Sequence, residues 1–358
     1  MSETDSLLVD ATTRIFQDLC DPQTINAAAD DTWKEPLWQA LEESGLTLAW
    51  VPEERGGAGT SIADGFAIAG VSGRFAVPVP LGETLLAGWL LGIAGLNSPD
   101  GAMTVAPSRP RDGLVLSSDG TLQGRALGIA FAGSVGTIVA LASKDGARHV
   151  VRVAAGDCAI QSAPGLSGDG RDAVTFDGVV PVETAPLPDG FGENCLVLMG
   201  AAIRAAQIGG ALQEILTMAS EYAQERVAFE KPIAKFQAVQ HNLARLAGET
   251  AAAVAAASSA ADTIQTLGDR GEGLGDAAFF EVASAKIRAG EAAGEGAAIA
   301  HQVYGAIGFT EEHILHRFTQ RLWTWRDDFG NESEWAVELG EFVAKGGADE
   351  LWPLLASR

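Results

Sequence analysis

The chain has 358 residues and a formal net charge of −23. Phosphate recognition relies on clustered Lys and Arg, and no basic run offsets the acidity, so the sequence argues against general binding to DNA or RNA. The three cysteines, Cys20, Cys158 and Cys195, are scattered without metal-ligand spacing. This pattern is typical of a reducing compartment and indicates neither a disulfide scaffold nor a structural zinc site.

The N-terminal segment "MSETDSLLVDATTRIF" lacks a basic region followed by an apolar core, so it does not resemble a secretory signal. No apolar stretch is expected to reach the roughly twenty residues needed to span a bilayer. We therefore expect a cytoplasmic protein, with ample length for a cofactor site.

Residues 1–100 are predicted to form an N-terminal helical domain. The segment "DDTWKEPLWQALEESG" offers an Asp cap, places Trp33, Leu37, Trp38 and Leu41 on one helical face, and has Gly45 as its stop. This pattern predicts an amphipathic helix packed on a core.

The texture changes over 101–187, where short runs such as "TIVALAS" and "HVVRVAA" are rich in Val, Ile and Thr and are separated by Gly and Asp. They predict a central antiparallel β domain. Residues 188–358 return to Ala-rich segments of helical period, which predict a helical bundle. The fold class is therefore α+β, mostly α.

The segment "ERVAFEKPIAKFQAVQHNLARL", residues 225–246, concentrates polar groups around one proline. We expect a helix ending near Phe229, a loop, and a new helix starting near Phe236. Arg226 beside Lys231 offers paired N–H donors to a pyrophosphate, and the amide of Gln237 can donate to and accept from a nucleotide. The open alternative is an ordinary helix-turn-helix, in which Arg226 pairs with a neighbouring glutamate, Glu225 or Glu230.

A second cluster is "HQVYGAIGFTEEHILHRF", residues 301–318. Here Gln302 precedes Gly305, a residue that allows close approach of the backbone to a ligand. Gly305 could equally cap a helix C-terminus, and both interpretations are compatible. His313 and His316 lie three residues apart, but no third ligand is evident, so no metal site is predicted.

Taken in order, these segments resemble the acyl-CoA dehydrogenase family. The matching segments are "LWQALEESGLTLAWVPEERGGAGTSIADGFAIAG", "AVTFDGVVPVETAPLP", "ERVAFEKPIAKFQAVQHNLA" and "HQVYGAIGFTEEHILHRFTQR". The resemblance implies an N-terminal helical domain, a central β domain and a C-terminal four-helix bundle. It also implies FAD-dependent oxidation of an acyl-CoA thioester, with an electron-transferring flavoprotein as acceptor.

By this resemblance, five residues would bind the FAD of a neighbouring subunit. Arg226 would hold the pyrophosphate, Phe229 would pack on the cofactor, and Gln237, Gln302 and Gly305 would line its adenosine end. The clustered polar residues would then form a nucleotide clamp presented in trans.

The catalytic carboxylate of the family has no counterpart. Its usual position corresponds to Phe329, and its alternative position on an earlier helix corresponds to about Gly200. Asp327 and Asp328 lie close by and are candidates for the base, although a solvated surface position is the favoured interpretation for both.

The flavin-facing strand is also altered, because Gly128 and Ala130 stand where the family carries a Trp and a Thr. One half of the site is thus eroded while the half given to a neighbour is kept. This asymmetry resembles the smaller subunit of heteromeric, steroid-type acyl-CoA dehydrogenases, whose partner carries the catalytic Glu. Two alternatives stay open: a self-sufficient homo-oligomer that uses Asp327 or Asp328 as base, and a structural subunit without flavin.

Overall fold

The structure is a computed structural model that describes residues 3–109 and 111–356. Five helices come first: α1 (Glu3–Leu19), α2 (Pro22–Asn26), α3 (Lys34–Glu43), α4 (Ile62–Arg74) and α5 (Leu81–Ile93). Their buried apolar side chains share one core with the C-terminal helices. The N-terminal helices therefore pack directly on the bundle.

Helix α3 illustrates both a correct and an incorrect prediction. Leu37 and Leu41, one helical turn apart, are fully buried. Gly45 adopts a φ of +73° just after the helix, as expected for a stop. The expected Asp cap is wrong: Trp33 occupies the N-cap position of α3 and makes no side-chain cap. Asp31 lies two residues earlier, where its carboxylate pairs with the ammonium of Lys34.

Eight strands form one sheet between the two helical regions: β1 (Met103–Ala106), β2 (Leu114–Leu116), β3 (Leu122–Ala130), β4 (Thr137–Lys144), β5 (Ala147–Ala154), β6 (Ala159–Gln161), β7 (Arg171–Val179) and β8 (Glu183–Pro186). Their order is β6-β7-β3-β2-β4-β5-β8, with β1 beside β4. The pairs are antiparallel except β1 with β4 and β2 with β4, which are parallel. The sheet encloses a second, separate core, as period-two burial in β7 shows.

Six helices follow: α6 (Cys195–Glu225), α7 (Gln237–Asp269), α8 (Asp276–Tyr304), α9 (Leu315–Asp327), α10 (Glu332–Gly346) and α11 (Ala348–Ala356). Small residues allow close packing: a Cβ added to Gly210 on α6 would lie 1.9 Å from the carbonyl oxygen of Gly70 on α4. The change from helices to strands falls between residues 93 and 103, and the return to helices between 186 and 195. Division into three separate domains at 100 and 187 stays a prediction.

Helix α6 corrects one expectation from the sequence. By length and composition it could cross a membrane, since an 18-residue window within it has a mean hydropathy of 1.6. However, 94% of that window is buried inside the protein, as in the core helix of a folded bundle. Its apolar character is therefore explained by packing.

Candidate functional site

A short hairpin joins α6 to α7. Helix α6 ends at Glu225, four residues before the predicted end, and β9 (Val227–Ala228) pairs with β10 (Lys231–Pro232). The two residues of the turn, Phe229 and Glu230, have φ of +52° and +66°. Type I′ turns need positive φ at both positions and favour Asn-Gly, so an L residue at each costs about 1–2 kcal/mol. Such strain persists mainly at functional sites.

The hairpin exposes a cation and an aromatic ring. Phe229 is 88% exposed. Arg226 is also exposed and makes no ion pair within residues 3–109 and 111–356, so pairing with either neighbouring glutamate is not what the structure shows. Its carbonyl accepts a hydrogen bond from the N–H of Ile233 at 2.8 Å, which ties the base of the hairpin together. The guanidinium is thus free to bind a ligand.

Helix α7 begins beside this hairpin. Gln237 is its first residue and is exposed. The preceding Phe236 provides no side-chain cap, so the 33-residue helix presents uncapped N–H groups and the positive end of its dipole. This end favours an anion, as does Arg226.

The end of α8 lies at the same end of the bundle. Tyr222, one turn before Arg226, stacks on Tyr304 with ring centroids 4.4 Å apart, and its hydroxyl donates to the Tyr304 carbonyl at 3.4 Å. Gly305 follows directly, with φ +63° and ψ −140°, a conformation open almost only to glycine. Gln302, in the last turn of α8, is exposed.

The structure thus brings the predicted cofactor residues to one end of the bundle, where α6 and α8 end and α7 begins. We call this exposed set the clamp surface: Arg226, Phe229, Gln237, Gln302 and Gly305. It combines a free cation, two amides, an aromatic ring and an accessible backbone. These groups suit a phosphate-bearing, aromatic ligand.

The two positions that could have carried a catalytic carboxylate face each other in the interior. A Cβ added to Gly200 on α6 would lie 2.5 Å from the ring of Phe329. Phe329 is buried and has a φ of +56°, strained for a bulky residue. Gly200 therefore offers no side chain, and the aromatic ring of Phe329 packs against it.

A buried ion-pair network lies beside Phe329. The guanidinium of Arg204, on α6, pairs with Glu83 on α5 and, through Nε, with Asp328 at 2.9 Å. Asp328 also accepts from Arg171 on β7 at 3.0 Å. Burial lowers the pKa of Arg204, but Glu83 and Asp328 outweigh this effect and raise it overall.

These contacts decide where the two candidate bases lie. Asp328 is partly buried between two arginines, so the solvated surface favoured for it is wrong, whereas Asp327 is exposed. The carboxylate of Asp328 is engaged in ion pairs. The role of Asp328 as a base stays a prediction, and these contacts do not favour it. The network also contains two buried, paired residues that sequence reasoning missed: Arg204 and Glu83. A lone arginine within the apolar run of α6 was the available signal, because a buried charge needs a partner.

The remaining space beside β3, the strand expected to face the flavin, is small. Thr104 donates to the carbonyl of Ala130 at 2.7 Å. The guanidinium of Arg109 lies 3.3 Å from where a Cβ on Gly128 would be. The cavity between this strand, Arg204 and Phe329 has a volume of about 10 Å³. Ligand pockets usually measure about 300–1,000 Å³, so this cavity is too small for a flavin ring.

Other potential chemistry is accounted for locally. His313 Nδ1 accepts from the N–H of Leu315 at 3.1 Å, and His316 Nδ1 lies 2.8 Å from the His313 carbonyl. No group of three or more His, Cys, Asp or Glu in the described part of the chain could hold a metal. Burial raises the pKa of the Cys20 and Cys195 thiols to about 12, which disfavours reactive thiolates.

The succession of helices, antiparallel-rich sheet and long-helix bundle defines the acyl-CoA dehydrogenase fold. The chain superposes on the ChsE4-ChsE5 complex from Mycobacterium tuberculosis with a TM-score of 0.83 and 23% identity, over 96% of this chain and 98% of that one. For the steroid ACAD Tcur3481-Tcur3483, the TM-score is 0.82 and the identity 23%, over 97% and 99% of the two chains.

Sequence comparison establishes the family. A profile described as "Acyl-CoA dehydrogenase, C-terminal domain" matches residues 197–325. Over 313 residues the chain is 30% identical to the acyl-CoA dehydrogenase IpdE2 of Mycobacterium tuberculosis, covering 84% of this chain and 85% of that protein. The chain belongs to the acyl-CoA dehydrogenase family.

Proposed function

We propose that this chain is the smaller subunit of a heteromeric, FAD-dependent acyl-CoA dehydrogenase. It would complete the FAD site of an unlike partner that carries the catalytic carboxylate. The observation that carries the proposal is the contrast within one chain: the space between β3 and α6 is filled by Phe329 and paired charges, whereas the clamp surface is open. Loss of all flavin function would leave no reason to keep a strained, exposed hairpin.

The residues present fit FAD on the clamp surface and do not fit it in the interior. Arg226 would bind the pyrophosphate with the N-terminus of α7, and Phe229 would pack against the cofactor. Gln237, Gln302 and the backbone at Gly305 would contact the adenosine end. When bound, FAD would supply the acceptor for a hydride from the acyl β-carbon. This chain's own residues would bind and orient the cofactor and leave proton removal to the partner.

The resemblances support a heteromer and a bulky substrate. One matched structure is a complex of two named proteins, ChsE4 and ChsE5, and another is a steroid ACAD. We therefore extend the proposal to a heterotetramer acting on a steroid-type or comparably bulky acyl-CoA in lipid catabolism. An electron-transferring flavoprotein as acceptor and a cytoplasmic location belong to the same proposal.

The test is flavin content per assembly. The chain would be co-expressed with an acyl-CoA dehydrogenase-like protein encoded by a neighbouring gene. FAD absorbance and native mass would be measured for assemblies containing the wild-type chain or Arg226→Ala. We expect about one FAD per unlike pair in the wild type and a large loss in the variant, with native mass unchanged. Arg270→Ala is the matched control, because Arg270 is exposed at the opposite end of α7.

Two results would contradict the proposal, and each would favour a different alternative. Full flavin in the Arg226→Ala assembly would favour a structural subunit without flavin. One FAD per chain and high dehydrogenase activity in the isolated protein would favour the self-sufficient homo-oligomer. In that case Asp327→Asn and Asp328→Asn would identify the base by loss of turnover with flavin retained.

A further inference from the structure

A polar cavity of about 330 Å³ lies where three parts of the chain meet. Its walls come mainly from the segment between α2 and α3, from the loop joining β6 to β7, and from α9, and Pro78 between α4 and α5 completes them. It shares no lining residue with the clamp surface or with the small interior cavity. Ligand sites commonly occupy such junctions between structural units.

Two arginines from successive turns of α9 line this cavity. Arg321 is 2% exposed and donates to the Asp169 carboxylate at 3.0 Å and to the Arg317 carbonyl at 3.2 Å. Its Nε is buried and has no hydrogen-bond partner among the described residues. Arg321 is thus only partly satisfied by the protein.

Arg317 forms no ion pair within the described ranges, although the more distant Asp169 and Asp31 offset part of its pKa shift. Its Nε donates to Asn26 Oδ1 at 3.1 Å, and a terminal nitrogen donates to the Ile25 carbonyl at 3.4 Å, both neutral acceptors. Burial lowers the pKa of Arg317, and the neighbouring Arg321 lowers it further. A half-buried guanidinium next to another one is stabilised by a counterion.

The inner wall of the cavity is therefore cationic. It holds two guanidiniums and one carboxylate, that of Asp169. The mouth adds Asp31, which pairs with Lys34 at 2.7 Å, and Asp30, whose carboxylate accepts from the Thr32 N–H and hydroxyl at 3.1 and 2.7 Å. These two carboxylates are exposed, so water screens their repulsion of an incoming anion more than it screens the inner guanidiniums.

We propose that this cavity binds an oxyanion of the carboxylate or phosphate class, held mainly by Arg317. A planar guanidinium presents a fork of N–H donors that matches both groups. The bound anion would supply the charge that Asp169 alone leaves unbalanced. It would also link α9 to the segment between α2 and α3, so that occupancy stabilises the folded chain.

The experiment is calorimetric titration of the purified full-length chain with inorganic phosphate and, separately, citrate, at constant ionic strength. We expect saturable binding at one site for at least one of them, with a concentration-dependent rise in Tm. Arg317→Gln should weaken binding about tenfold or more, while Arg270→Gln, which removes an exposed arginine elsewhere, should leave it unchanged. The stronger of the two ligands identifies the class.

A second variant tests the proposal if Arg317→Gln fails to fold. Asp31→Asn removes an exposed carboxylate at the mouth and releases Lys34, so it should tighten binding severalfold without affecting the fold. Three results would overturn the proposal: no saturable binding below about 1 mM for either anion, equal affinity in Arg317→Gln, or no change in Asp31→Asn.

Discussion

Replacing Asp328 by Asn tests whether this carboxylate is part of a filled interior or is a catalytic base. Asp328 is 13% exposed and accepts from Arg204, which is 2% exposed, and from Arg171. The amide keeps the shape but removes the charge, leaving Arg204 with Glu83 as its one carboxylate partner and Arg171 with none among the described residues. We expect destabilisation, because a buried cation then lacks compensation.

The magnitude follows from the burial of the network. Removing one partner of a buried ion pair costs about 3–5 kcal/mol, and residual pairing with Glu83 favours the lower figure. An unfolding entropy of about 2.1 cal/mol/K per residue over 358 residues amounts to about 0.75 kcal/mol/K. A loss of about 3 kcal/mol should therefore lower Tm by about 4 °C, measured by circular dichroism or calorimetry.

Two further variants control this prediction. Asp327→Asn changes the adjacent, exposed carboxylate and should shift Tm by less than about 1 °C. Adding Arg171→Gln to Asp328→Asn restores the charge balance and should recover part of the loss. Asp328 would instead be the catalytic base if Asp328→Asn is no less stable than Asp327→Asn yet abolishes turnover of the flavin-loaded assembly.

Three other changes probe the packing around this interior and the hairpin. Lys286, fully buried on α8, donates to the carbonyls of Trp325 and Arg326 at 2.6 and 2.7 Å, and burial lowers its pKa to about 7. The unfolded chain keeps that proton up to pH 10.5, so stability should rise between about pH 7 and 10.5, and Lys286→Met should flatten the rise in Tm. Gly200→Ala should cost about 1–3 kcal/mol by overpacking the Phe329 ring, seen as a lower urea midpoint. Glu230→Gly should raise stability by about 0.5 kcal/mol, since relief of its positive φ exceeds the added chain entropy; a lower urea midpoint would contradict this.

Much of the clamp surface could be predicted from sequence because its residues are local. Arg226, Phe229 and Gln237 lie within twelve residues of one another and interrupt an Ala-rich pattern. The hairpin itself could not be predicted, because its turn lacks the Asn-Gly signal that positive φ normally requires. Because this signal is missing, the sequence predicts that α6 ends near Phe229, whereas the helix ends at Glu225.

For the interior, the sequence predicts only that a catalytic carboxylate is missing. The sequence shows that Phe329 and Gly200 carry no carboxylate, but not that their positions meet. Likewise, Arg204 finds its partners 121 and 124 residues away, in Glu83 and Asp328. Such pairings depend on how α5, α6 and the end of α9 come together, and no local pattern specifies them.

The composition of the ion-pair network explains why its side chains depend on one another. Two arginines and two carboxylates balance each other's charge, and they come from four segments: α5, β7, α6 and the turn after α9. Admitting a ligand would require breaking buried pairs and moving the Phe329 ring together, since each charge is satisfied only while the others are in place. The same contacts hold the end of α9 against α6, the helix whose C-terminus carries the hairpin, so filling the interior also fixes the bundle that presents the clamp surface.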